Sequence, residues 1–337
     1  MPSYPGISSE AFRHPLDHEA EQALRSLPGF DLVARKFLEV AVDRPQYLYH
    51  MGNSVQVGPR QYASLYHLLR ECLRDLDIYP EPALFVSQSY QVNAFTIGQE
   101  QPTIVLTTAL LDLLNETELR VVIAHELGHL KCGHSILTQM AIWTISAASV
   151  VGQMTMGLSN MLISNALVMA FYEWKRKAEL SADRAALIAT DDLNTVLMTM
   201  VKVAGGSSKH LHELSLDEFK KQAREYQALD ADAMNQAYKF FLYNNLPQGM
   251  YSSHPFPVER ASYLQEWAAS ADYQAIRRGD YRRNSATGAV NVQATANGGA
   301  PQGNHQTRSA PAESEADRLR RQIEDLQREL DRFRAPR

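Results

Sequence analysis

The stretch "HELGHLKCGH", His125 to His134, gathers three histidines and a glutamate into ten residues. A helix turns about 100° per residue, so His125 and His129 stand one turn apart on the same face. Two imidazoles so placed reach one metal ion. Glu126 lies beside them, able to work on water at that metal without being a ligand. H-E-x-x-H is the spacing that holds zinc for metal-assisted peptide hydrolysis. If the helix continues, His134 lies about 180° round from His125 and points away. A capping or surface role is therefore expected for it. The longer pattern H-E-x-x-H-x-x-G-x-x-H is excluded, because Cys132 and Ser135 stand where it needs Gly and His.

A hydrolytic zinc takes three protein ligands and leaves the fourth place to water. Downstream, "KAELSADRA" offers Glu179 and Asp183, four apart on one helix face. Glu179 suits the third ligand. Asp183 suits the acceptor for the far nitrogen of a ligand histidine, which fixes its tautomer. One Zn2+ per subunit is the expected cofactor.

These residues need elements to hold them. Asn115 followed by Glu118 reads as a capping box opening the motif's helix. Gly128 lets that helix lie close against a neighbour. Ahead of it, "ALFVSQS", "VNAFTIGQ" and Thr103–Thr107 read as a small sheet of about three strands. Leu65, Leu68, Leu69, Cys72 and Leu73 recur at helical spacing over 60–76, and 171–189 is helical again. Ser215 and Glu218 repeat the capping-box pattern. Two prolines before "VERASYL" start a helix near Val258. Residues 1–57 hold helical stretches near "EAEQALRSL" and "FDLVARKFLEVAV".

The chain resembles the HtpX-like and CAAX-prenyl-protease-type zinc peptidases, which are gluzincins. The resemblance rests on "HELGH" at 125–129, "ELSAD" at 179–183, "NAF" at 93–95 and "SHPFPVERASYL" at 253–264, spanning about 60–270 in the family's order. It implies zinc on His125, His129 and Glu179, with Glu126 as general base. It implies that Asn93 and Ala94 lie on the edge strand that pairs with substrate backbone. It places His254 at the cleft, stabilising the transition state or taking the fourth zinc position in a closed resting form; a plain turn residue before Pro255 is the other reading. Arg260 would be structural or would position His254. The implied fold is α+β and mostly helical, a gluzincin metallopeptidase domain with its small sheet beside the H-E-x-x-H helix. The implied activity is zinc endopeptidase, with protein quality control as the family-level role. The rival reading is a non-catalytic, zinc-containing chaperone-like module; an intact Glu126 argues against it.

Composition narrows the rest. The 337 residues carry a formal net charge of -5, with no large basic block before the C-terminal tail, so nucleic acid is a poor partner. A polypeptide substrate is expected instead. Two cysteines make no disulfide framework and read as buried reduced thiols. The N-terminus has no apolar run behind a basic start, which points to the cytoplasm. Residues 132–172 contain no Asp, Glu, Lys or Arg. The run 135–151 falls just short of the ~20 residues that span a bilayer. A buried or groove-lining helical pair and a hairpin touching or entering a membrane through 135–172 both fit it. Integral-membrane relatives carry clear spanning helices, including N-terminal ones, and nothing before the motif is apolar enough for that.

The chain therefore divides into an N-terminal helical segment (1–57), a metallopeptidase domain (58–283), a small-residue polar linker (284–312) and a short helix (313–337). In the last, Ala316, Leu319, Ile323, Leu326, Leu330 and Phe333 step by threes and fours as a heptad seam. A homo-oligomer through 316–333 is expected, against a merely solvated helix.

Overall fold

The computed structural model describes residues 3–27, 30–31, 33–34, 43–98, 101–141, 165–230 and 256–284. His254, most of the stretch "FDLVARKFLEVAV", positions 142–164, and the residues expected to form the linker and the heptad helix, from 285 onward, lie outside these.

A four-stranded sheet forms from β1 (Val55–Gln56), β2 (Ala83–Ser87), β3 (Ala94–Ile97) and β4 (Thr103–Thr107), in the order β1-β2-β4-β3. β1 runs antiparallel to β2, β2 parallel to β4, and β3 antiparallel to β4. The expected strands are all present. β1 is the addition, too short to show a period. Every residue of β4 is buried, as suits a central strand covered on both faces. Among the described residues β3 is an outer strand, with Ala94 and Thr96 buried on one face.

Helices account for most of the rest. They are α1 (Pro15–Ser26), α2 (Asp43–Asn53), α3 (Ala63–Leu76), α4 (Thr108–Leu113), α5 (Glu116–Lys131), α6 (Asn165–Thr190), α7 (Leu193–Gly205), α8 (Leu216–Asp230), α9 (Pro257–Ala268) and α10 (Ala271–Arg277). α3 buries Leu65, Leu68, Leu69, Cys72 and Leu73, the face its periodicity marks out. Pro257 opens α9, where its missing N–H costs no bond.

α5 and α6 form the centre. The capping box is real: Glu118 N donates to Asn115 Oδ1 and Asn115 N to Glu118 Oε2, each at 3.0 Å. Gly128 lies against α6 so closely that a Cβ there would come within 2.7 Å of Ala185 Cβ and 3.0 Å of Ala182 Cα. The small residues let the two backbones touch, and this brings α5 and α6 side chains to one point.

The N-terminal segment shares the main core. Tyr4, Ile7 and Phe12 pack with Leu69, Leu84, Leu106 and Leu127. A second cluster joins Leu24, Phe30 and Val33 to Leu137, Met140, Leu167, Phe171 and Trp174. The described ends of the uncharged stretch are thus buried against protein. No described helix is long and apolar enough to cross a membrane. Both cysteines are free; Cys72 is buried, but Cys132 is only partly so, because it caps the end of α5.

Candidate metal centre

α5 and α6 deliver three donors to one place. His125 Nε2 and His129 Nε2 are 3.2 Å apart. Glu179 Oε2 lies 3.3 Å from His125 Nε2, and its Oε1 3.3 Å from His129 Nε2. One donor atom from each residue lies within 4.8 Å of the others. Two imidazoles and a carboxylate are the donor set zinc accepts, and converging Nε2 atoms suit a single small cation.

The surroundings fix these side chains. His125 Nδ1 is 3.0 Å from Asp183 Oδ1. Arg260 grips Asp183 through Nε at 2.7 Å and Nη2 at 2.5 Å, and its Nη1 lies 3.1 Å from Glu179 Oε2. Arg260 therefore clamps both α6 carboxylates. Burial opposes the Asp183 charge, but Arg260 and His125 outweigh it and hold the carboxyl below its usual range. Burial also opposes protonation of His125, yet the Asp183 and Glu179 carboxylates push that imidazole up. Burial pushes His129 down to about 4, the neutral state a metal ligand needs.

Glu126 is next to His125 on α5 and almost wholly buried. Thr96 on β3 donates its hydroxyl to Glu126 Oε2 at 2.7 Å. A cleft of about 370 Å3 opens here, lined by Asn93, Ala94, His125, Glu126, Asp183 and Arg260, with Val121, Met200 and Val203 on an apolar side. The main chain of Asn93 is engaged with Thr107: its N–H donates to Oγ1 at 3.0 Å and its C=O accepts from N at 3.1 Å. Hydrogen-bonding direction alternates along an antiparallel strand, so Ala94 turns its N–H and C=O to the outer edge. The sequence-predicted residues thus converge, apart from His254, which lies outside the described residues.

His134 needs correction. It is neither capping nor exposed, being buried with its Nδ1 3.0 Å from His129 Nδ1. α5 stops at Lys131, Gly133 takes a positive φ of 73°, and the chain is helical again over 134–141. The extrapolated helix that carried His134 away does not exist. A glycine just past a helix end is the usual stop signal, and "CGH" carries it.

Sequence reasoning also missed Thr96, Ser181 and Asp17; Asp17 Oδ2 lies 3.1 Å from His134 Nε2 and accepts from Ser181 Oγ at 2.7 Å. Thr96 is two residues beyond Ala94, so strand alternation puts both on one face. Ser181 sits between Glu179 and Asp183. Nothing local marks Asp17, which reaches the site only through tertiary folding.

The profile of peptidase family M48 matches residues 59–268. The "Plastoglobule-localized metallopeptidase 48, chloroplastic" of Arabidopsis thaliana is 35% identical over 284 residues, covering 83% of this chain and 78% of that protein. A "Protease HtpX homolog" of Moorella thermoacetica is 25% identical over 244 residues, covering 65% and 76%. Another of that name, from Ralstonia pickettii, is 24% identical, covering 67% and 81%. No solved structure matches the chain significantly. With most of its length matched and the donor cluster in place, this chain belongs to peptidase family M48, the HtpX-like metallopeptidases.

Proposed function

We propose that the chain is a zinc-dependent endopeptidase, with His125, His129 and Glu179 as ligands. The observation that carries this is the three-donor cluster with Glu126 beside it, at a cleft bordered by an outer strand. Zinc bound there would lower the pKa of water to about 7 and polarise a carbonyl. Glu126 takes a proton from the attacking water and delivers it to the leaving amine. Asp183 accepts from His125 and fixes its tautomer. Arg260 holds Asp183 and Glu179 in place. The substrate backbone pairs with Ala94 along β3, with Asn93 at the strand's start. The family resemblance would give His254, which lies outside the described residues, the role of stabilising the transition state or of a further metal ligand at rest, with a plain turn residue before Pro255 as the other reading.

The setting is protein quality control on the cytoplasmic side, with peripheral membrane contact through 135–172 and self-association through 316–333. Glu126 favours catalysis over a chaperone-like module, since a metal scaffold has no use for a buried base held by Thr96.

Casein hydrolysis by the zinc-loaded protein tests the activity. Glu126→Gln is expected to lower kcat by about 10²-fold or more while zinc still binds. Equal rates in wild type and variant would refute the peptidase reading. Metal analysis should find about one zinc per chain, lost in His125→Ala.

A further inference from the structure

The two paired imidazoles are supported from behind in different ways. His125 reaches a carboxylate directly, through Asp183. His129 Nδ1 lies against His134 Nδ1 at 3.0 Å, and His134 Nε2 lies 3.1 Å from Asp17 Oδ2. Asp17 is wholly buried on α1. Its Oδ2 also accepts from Ser181 Oγ at 2.7 Å and Arg13 Nε at 3.0 Å. Trp174 meets the His134 ring edge-on, with centroids 5.7 Å apart.

The donors and acceptors fit one order. An imidazole that ligates through Nε2 keeps its proton on Nδ1. His129 then donates to His134 Nδ1. That leaves the His134 proton on Nε2, where it donates to Asp17. Each histidine of the pair thus ends on a buried carboxylate held by an arginine, Asp183 by Arg260 and Asp17 by Arg13. Ser181 ties the second carboxylate to α6, the helix that carries Glu179. The backbone N–H of His14 donates to Ser181 Oγ at 2.9 Å, so the start of α1 is pinned there as well.

We propose that Asp17 and His134 are positioning residues of the metal centre: Asp17, acting through His134, fixes the tautomer and orientation of His129. This rests on the metal-centre reading above. It extends the working unit beyond the family-matched residues 59–268, because α1 lies before them.

The test measures zinc affinity of the full-length protein by chelator competition. His134→Phe keeps a ring and leaves Asp17 paired with Arg13 and Ser181. Asp17→Asn keeps the shape and removes the charge. Each is expected to weaken zinc binding about 10- to 100-fold. The double variant should bind no more weakly than His134→Phe alone, because Asp17 acts through that ring. A merely structural Asp17 would cost the same in both backgrounds, and additive losses would overturn the proposal. So would both single variants staying within about twofold of wild type while His129→Ala loses the metal. Equal zinc binding by wild type and His129→Ala would remove the metal-centre reading and this proposal with it. Should Asp17→Asn not fold, nitrogen-15 spectra of the zinc-loaded wild type decide. They should show His129 protonated at Nδ1 and His134 at Nε2; His134 protonated at Nδ1 instead overturns it.

Discussion

Thr96 has the most direct hold on Glu126 of any neighbouring side chain described above. Its hydroxyl donates to Glu126 Oε2 at 2.7 Å and also lies 3.2 Å from the Glu126 carbonyl oxygen. Thr96→Val keeps the shape and removes the donor, so the carboxylate keeps its place in the chain and loses its aim. A misaimed base costs up to about 10²-fold. We expect kcat on casein to fall about tenfold or more with zinc content unchanged; wild-type kcat in the variant would show that Thr96 does not orient the base. Residues of this kind divide by how they could be read. His125, Glu126 and His129 were legible because their relation is set inside one helix, and Glu179 and Asp183 for the same reason. Thr96 reaches Glu126 only through the placing of β3 against α5. His134 was misread because helix arithmetic was carried across Gly133.

α5 and α6 work as a pair because Gly128 lets them touch. Gly128→Ala places a methyl 2.7 Å from Ala185 Cβ and against the Ala182 backbone. The helices must part, at a cost of about 1–3 kcal/mol. His125 and His129 then move away from Glu179. We expect a lower Tm together with weakened zinc binding; a variant that binds zinc as wild type does would show that the close approach is not what assembles the site. α1 carries a pH dependence of its own. His14 caps it by accepting Leu16 N–H on Nδ1 at 3.1 Å, which a protonated ring cannot do. Burial first, then Arg184 and Lys177, lower its pKa from 6.5 to about 4, against the pull of Asp17. In that window the unfolded chain takes up a proton that the folded chain refuses, so this stability is full above 6.5 and lost as pH falls towards 4. The protection factors of α1 amides, corrected for the intrinsic pH dependence of exchange, should fall as pH drops across that range in wild type. His14→Asn, a cap that does not titrate, should flatten the change. An equal slope in the variant would remove His14 as the cause. Among elements, α3, β4 and α5 were legible from period and caps. α2 and β1 were not, because β1 is only two residues and α2 shows no clear apolar stripe.

For the whole molecule, composition excluded more than it identified. The net charge of -5 argued against nucleic acid, and the uncharged stretch left two readings open. Its described ends, Leu137 and Met140 on one side and Leu167 and Phe171 on the other, are buried in one cluster with Leu24 of α1, Phe30 and Val33. We expect most of the protein in the soluble fraction of lysed cells, with any membrane-bound part released by carbonate; resistance to carbonate would show insertion. Deleting 313–337 should lower the mass in light scattering and leave casein hydrolysis unchanged; an unchanged mass would count against self-association. The sheet order has a further consequence. Among the described residues β3 is an outer strand, and a polypeptide that pairs with it must arrive as a strand itself, with its own main-chain groups uncommitted. A segment folded into a helix or locked inside another sheet has none to offer. Cutting would then depend less on which side chains a protein carries than on whether it can release a few extended residues. The same protein would be spared when folded and cut when loosened.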